Sequence, residues 1–349
     1  MIALWRVGTG LQPGEIVQTQ GLLRVGWSWR IAGVAMLVLV FAASVEAGSA
    51  RAADPVSGDP VIVAAGDIAC SPHDPHFNGG VGAPTLCKQR ATSNIFVGDT
   101  TVNRVLALGD LQYECAAYSD FLASYAPSWG RAKTITRPAL GNHEYITGRD
   151  PFGVSCPGGG GGYFQYFAAS PSVNVARPGG YYSWNIGSWH MVVLNSNCKF
   201  VSCKATGTQA TWLKNDLAAS NAPCTLAYWH HPRFNGKSKG PIGSMEAMWT
   251  LLYNEGAEVI LNGHKHAYAR FAPLTPAGAI NRARGIREFI VGTGGENIGV
   301  ISNQFAMVEK TDPGRHFGVL RMTLHPHSYD YKMVATAGTI VDSGTTLCH

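Results

Sequence analysis

Five short blocks of the chain set oxygen and nitrogen donors directly after apolar runs: "AAGDIA" at 64–69, "ALGDLQY" at 107–113, "ALGNHE" at 139–144, "YWHHP" at 228–232 and "LNGHKH" at 261–266. Together they offer Asp67, Asp110, Tyr113, Asn142, His230, His264 and His266: carboxylate, phenol, amide and imidazole, without thiolate. That mixture suits iron, manganese or zinc, and it is large enough for two ions sharing one carboxylate. His264 and His266 flank Lys265. In extended backbone, residues two apart point to one side, so both imidazoles are expected in one cavity with Lys265 facing away. No serine sits in a Gly-x-Ser-x-Gly elbow. The glycine-rich "GTGGENIG" at 292–299 lacks the Lys-Ser/Thr of a phosphate-binding loop and reads as close backbone packing beside the site.

The apolar runs before these donors read as strands. Between them lie expected helices at about 88–101, 116–126, 208–219 and 244–255. Such alternation argues for α/β layers, in which ligands gather past the carboxyl ends of strands, where every donor falls. "REFIVGTGG", "HFGVLRMTLHP", "SYDYKMVATAG" and the hairpin "GGYYSWNIGSWHMVVLN" read instead as antiparallel strands. A mixed sheet, or two packed sheets, therefore fits better than one doubly wound sheet. The chain has 349 residues, 46% of them apolar, enough for one large domain; 42 glycines and 19 prolines mark many turns and long loops. The net charge of +5 comes from scattered Lys and Arg, with no nucleic-acid-binding arm and no polybasic membrane patch.

In order and spacing, the five blocks resemble those of the calcineurin-like metallophosphoesterases, most closely the purple acid phosphatase branch with its GDxxY, GNHE, HxP and GHxH blocks. The resemblance covers nearly all of residues 54–349, including "YYSWNIGSWHMVVLNS" and "EFIVGTGG". It implies a four-layer α/β/β/α sandwich with two mixed sheets, and hydrolysis of phosphate monoesters by attack of a metal-held hydroxide. Carried over residue by residue, Asp67, Tyr113 and His266 would bind a first ion, Asp110 would bridge, and Asn142, His230 and His264 would hold a second. Two metal ions are thus implied, Fe(III) beside the Tyr113 phenolate and iron, zinc or manganese at the other position. His143 would touch the phosphate and protonate the leaving oxygen, a task suited to imidazole near neutral pH. The alternative for His143 is a structural bond to Glu144. Asn142 would also contact substrate, and His231 would turn aside or border it.

Two positions depart from the family pattern. Ala69 stands where other branches carry a ligating histidine, a loss that Tyr113 makes good. Ala269 stands where purple phosphatases often carry Glu, which removes a supporting partner and softens metal affinity. The residues leave phosphodiester or nucleotide hydrolysis open, because the loops at 71–86, 146–180 and 233–243 would set substrate size. A non-catalytic exported binding protein is the alternative of another class, against which stand seven retained ligand positions. His73, His76, Lys237 and Lys239 read as solvated loop residues near the site.

The N-terminal stretch reads as a targeting segment. "WSWR" at 27–30 precedes a short apolar core, Ile31 to Ala43, and small residues ending in "ARAAD". This layout is expected to be a secretory signal over 1–53 with an extended n-region and a cut near Ala53. Its core is short of the ~20 residues of a membrane span, so no stable membrane anchor is expected after the cut. A single metallophosphoesterase domain over 54–349 and a secreted location follow. The eight cysteines all lie beyond residue 53 and read as disulfides. Cys198 with Cys203 and Cys70 with Cys87 are the expected pairs; the other four stay unassigned. The expected partner is a phosphorylated small molecule.

Overall fold

A computed structural model of the protein describes residues 58–168, 179–236 and 244–349. The expected signal, its cleavage near Ala53, and Lys237 and Lys239 lie outside the described residues. The strands are, in order, β1 (Val61–Ala65), β2 (Arg104–Leu108), β3 (Thr136–Ala139), β4 (Thr147–Arg149), β5 (Ser155–Pro157), β6 (Tyr182–Ile186), β7 (Trp189–Val193) and β8 (Cys224–Tyr228). There follow β9 (Val259–Asn262), β10 (Tyr268–Leu274), β11 (Ile286–Val291), β12 (Val308–Thr311), β13 (Gly318–His325), β14 (Ser328–Ala335) and β15 (Ile340–Leu347). One sheet runs β15-β14-β13-β1-β2-β3 and the other β12-β10-β11-β9-β8-β7-β6, with β4 and β5 paired apart. Both sheets are mixed. In the first, β1, β2 and β3 are parallel while β13 is antiparallel to β1. In the second, β7, β8, β9 and β11 are parallel and β6 and β10 run against them.

The near-continuous apolar runs of the parallel strands reflect burial on both faces. In β9, Val259 and Leu261 join the core that also contains β1, β2, β13 and β14, whereas Ile260 belongs to a second core. Leu226 and Tyr228 of β8 likewise separate from Ala227, as a period of two requires. The helices are α1 (Gln89–Ser93), α2 (Tyr118–Asp120), α3 (Gly161–Phe167), α4 (Thr208–Ala218) and α5 (Glu246–Asn254). Leu213 and Leu217 of α4, with Met248 and Leu252 of α5, bury the outer face of the second sheet. Phe96, Phe121 and Trp129, from α1 and α2 and the turns after them, pack into the core of β1 and β2. The result is the expected α/β/β/α sandwich.

Two expected helices are shorter than their sequence pattern. The helix at 88–101 reduces to α1, where Thr92 and Ser93 hydroxyls donate back to the Gln89 and Arg90 carbonyls and Gly98 turns left-handed at φ +90°. The helix at 116–126 is one turn of α2 continued by a wide turn, Phe121–Tyr125, where the Tyr125 N–H donates to the Gln112 side chain at 3.1 Å. Cys70–Cys87 and Cys198–Cys203 pair as expected. Cys115–Cys156 and Cys224–Cys348 complete the set, the latter tying the second sheet to the segment after β15 of the first. No helix among the described residues is long and apolar enough to cross a membrane.

Candidate metal centre

Four of the five donor blocks leave the carboxyl end of a strand through a glycine, and the fifth, at His230, leaves β8 through Trp229. Asp67, Asp110 and His264, the residues after Gly66, Gly109 and Gly263, all have left-handed backbones, with φ of 58°, 48° and 66°. An L-residue is disfavoured there by roughly 1–2 kcal/mol, a strain that persists only where the surroundings fix it. The surroundings here are crowded. A Cβ on Gly109 would lie 2.7 Å from the His230 Cβ, and one on Gly141 would lie 2.1 Å from Asp110 Oδ1. The glycines thus let four strand ends converge on one point. One expectation needs correction: His264 and His266 follow β9 in a tight bend, not in extended backbone. Both imidazoles still reach the cluster, through the left-handed turn at His264.

All seven sequence-identified donors meet. Tyr113 Oη lies 3.1 Å from Asp67 Oδ1, 3.2 Å from Asp110 Oδ2 and 3.0 Å from His266 Nε2. His266 Nε2 is 3.1 Å from Asp67 Oδ1, and His230 Nε2 is 2.9 Å from Asp110 Oδ2. His264 Nδ1 is 3.0 Å from Asn142 Oδ1, and the His264 N–H donates to Asp67 Oδ2 at 2.8 Å. Asp110 sits between the two halves, with Tyr113 on one side and His230 on the other.

The proton inventory of this cluster calls for cations. Tyr113 has one hydroxyl proton for three neighbouring acceptors. His230 Nδ1 donates to the Leu108 carbonyl at 3.0 Å, and its Nε2 faces the Asp110 carboxylate at 2.9 Å. His266 Nδ1 faces Asn297 Oδ1 at 2.6 Å, and its Nε2 faces Asp67 and Tyr113. Burial opposes a charge on either imidazole, but the adjoining carboxylates outweigh it and push His230 up to about 9 and His266 up to about 11. Asp110 resists its own burial through His230 and stays well below the usual carboxylate range. Burial, then the Asp110 and Asp67 charges, hold the Tyr113 phenol well above its ordinary value. Converting it to phenolate takes a cation. Metal ions replace protons at such donors, so the residues present fit a metal site.

Several partners of these ligands escaped the sequence reading. Glu144 accepts the N–H groups of Asp110, Leu111 and Gly141 at 3.0, 2.8 and 2.6 Å, and so clamps two ligand loops together. Burial, then the Asp110 charge, pushes Glu144 up to about 7. His143 is therefore not held by Glu144; its Nδ1 donates to the Glu114 carbonyl at 2.5 Å, and its Nε2 lies 3.9 Å from Asp110 Oδ2. "GTGGENIG" does pack backbone to backbone, through Gly294 N to Gly66 O at 2.9 Å, but it also brings Glu296 and Asn297 to His266. The bend carrying Glu296 and Asn297 looked in sequence like an ordinary glycine turn. Ala269 is buried in the second core, and His266 takes its partners from 296–297.

His231 borders the centre. Ser196 Oγ accepts the His231 N–H at 3.0 Å and returns its own proton to Nδ1 at 2.8 Å, which places the ring proton on Nε2. Burial and the charges of His230 and His264 push His231 down to about 3, so its ring is neutral, and it lies within reach of the same ion as His230 and His264. It lines a cavity of about 460 Å³ that also touches Asn142, Tyr145, Lys199 and Phe200. His73 and His76 are about half exposed and pair with Asp120 and Asp74.

The family model for calcineurin-like phosphoesterases matches residues 61–268, more than half of the chain. Purple acid phosphatase 23 of Arabidopsis thaliana is 29% identical over 246 residues, which is 63% of this chain and 49% of that protein. Purple acid phosphatase 15 of the same plant is 31% identical over 146 residues, 39% of this chain and 25% of the relative. The chain thus spans half or less of the length of these curated relatives. Among solved structures, purple acid phosphatase PPD1 from yellow lupin (Lupinus luteus) superposes with a TM-score of 0.65 at 18% identity, over 85% of this chain and 55% of that one. PhoD superposes with a TM-score of 0.56 at 14% identity, over 85% of this chain and 71% of that one. With a family match that runs from β1 to the start of β10 and takes in all five donor blocks, the chain belongs to the calcineurin-like phosphoesterases and is purple acid phosphatase-like among them.

Proposed function

We propose that the protein is a secreted hydrolase of phosphate monoesters that works with two metal ions. The observation that carries this reading is the meeting of seven oxygen and nitrogen donors around Asp110, with the Nε2 atoms of His230 and His266 turned toward carboxylates. Asp67, Tyr113 and His266 would hold one ion, Asn142, His230 and His264 the other, and Asp110 both. A phenolate is a hard donor, which favours Fe(III) at the Tyr113 position; iron, zinc or manganese suits the second. When bound, such ions supply Lewis-acid charge and acidify water from about 15.7 to about 7.

The chain's own groups then have defined tasks. His143 Nδ1 is committed to the Glu114 carbonyl, so Nε2 is the atom that carries and delivers a proton to the departing oxygen. The His143 N–H donates to Asp110 Oδ1 at 2.8 Å and keeps the ring beside the reacting atoms. His231 Nε2–H and the Asn142 amide border the place where phosphoryl oxygens would lie. Four disulfides among the described residues support an oxidising, extracytoplasmic location.

The test is phosphate release by natively purified protein from a panel of monoesters and diesters, before and after chelation. Monoester hydrolysis that is lost on chelation and restored by metal is expected. Hydrolysis of diesters alone, or turnover indifferent to chelation, would refute the reading.

A further inference from the structure

The 460 Å³ cavity beside the centre has a wall made by a segment that none of the donor blocks includes. Residues 196–203 leave β7 and are closed on themselves by Cys198–Cys203. Asn197 Nδ2 donates to the Gly141 carbonyl at 3.1 Å, and Ser196 Oγ bonds His231, so this loop is pinned to two ligand-bearing loops at once. It presents Phe200, whose ring lies 4.4 Å from that of Tyr145 and 20° from parallel. Tyr145 is held in turn by the Asn195 side chain, which donates to its hydroxyl at 2.7 Å. Phe200 covers Tyr145 and yet stays 58% exposed, an aromatic face left open at the cavity mouth.

We infer that this cavity is the leaving-group subsite and that it takes phosphate esters of flat aromatic alcohols. The inference rests on the phosphoester-hydrolase reading and adds the substrate class to it. Pre-formed pockets of this size bind through apolar and aromatic walls with a few polar groups fixing orientation. Here Asn142 and His231 stand on the side of the phosphate, and Tyr145, Ile146, Phe200 and Met245 supply the apolar side. An aromatic ring stacks on such a wall without losing hydrogen bonds. A polyol alcohol would leave hydroxyls against it unpaired. Lys199, exposed at the same rim and without an ion-pair partner among the described residues, favours an anionic ester. In the reaction water's oxygen bonds to phosphorus, the ester P–O bond breaks, and the aryl oxygen leaves with a proton; no redox partner is needed.

The experiment compares kcat/KM for 2-naphthyl phosphate and glycerol 2-phosphate in the wild type, Phe200→Ala and Phe200→Leu, and titrates each protein with 2-naphthol by fluorescence. The aryl-to-glycerol ratio should fall about tenfold in both variants, chiefly through KM, and naphthol binding should weaken by a similar factor. Equal ratios together with equal naphthol affinity in the three proteins would overturn the subsite. If the wild type hydrolyses neither ester, the hydrolase reading fails instead, and naphthol binding still decides whether Phe200 holds a ring.

Discussion

His230 Nε2 lies 2.9 Å from Asp110 Oδ2 while its Nδ1 lies 3.0 Å from the Leu108 carbonyl oxygen. A neutral imidazole can satisfy only one of these neighbours, because the carbonyl takes its single proton and the carboxylate then faces a lone pair. His231, the next residue, has the opposite arrangement, with its proton on the cavity side. His230→Ala should therefore strip metal from the protein. His231→Ala should keep the metal and raise KM for a monoester about tenfold or more. Metal content and kinetics of the two variants, measured side by side, check the assignment; metal loss in His231→Ala with retention in His230→Ala would reverse it.

In the proposed centre Tyr113 is the donor that would give an iron-loaded protein its colour. Tyr113→Phe should abolish visible absorbance of the iron-loaded protein while its far-ultraviolet circular dichroism stays native. An iron-loaded wild type without a visible band would contradict a tyrosinate ligand.

Asn297 acts on the centre only through His266, whose Nδ1 it faces at 2.6 Å. Partners of this kind fix the tautomer and raise ligand basicity, and their loss typically costs 10–100-fold in metal affinity. Asn297→Ala should weaken affinity for the ion at the Tyr113 position within that range, as read by competition with a chelator. Asn297→Asp should restore much of it. Equal affinities in the wild type and Asn297→Ala would remove the residue from the centre.

A pH effect should arise far from the metals. Glu258 is buried and bonded to both the backbone and the ring of His349. Burial pushes its carboxyl from the ordinary 4.5 up to about 8, which the His349 N–H only partly offsets, and burial pushes His349 down. Between these values the folded chain keeps a proton that the unfolded chain has released. The resulting stability is full below about pH 4.5 and is lost as pH rises through about 8. Glu258→Gln mimics the protonated acid, so its melting temperature should decline less than that of the wild type between pH 6 and 9. Parallel declines would show that Glu258 is ionised in the fold.

The donors were legible in the sequence because each block is local. An apolar run, a glycine and a polar residue is a strand end in miniature, and the fold had only to bring four such ends together with the His230 end of β8. What was not legible depends on distance or on local competition. Asn297 meets His266 across 31 residues, and nothing in "GENIG" marks a partner. Tyr145 and Phe200 stack across 55 positions, joined by a loop whose cysteines signalled closure but not direction. The helix at 88–101 looked longer than α1 because periodicity does not register Thr92 and Ser93 bonding back to their own turn. The bend at His264 looked like a strand because histidine carries no sequence mark of the left-handed φ of 66° it adopts there.

Crystals of natively purified protein, measured by anomalous scattering at the metal edges, test the central claim most directly. Two peaks should flank the Asp110 carboxylate, one against Asp67, Tyr113 and His266 and the other against Asn142, His230 and His264, and both should vanish in Asp110→Asn. A wild-type map with a single peak, or with peaks away from Asp110, would contradict the dinuclear centre.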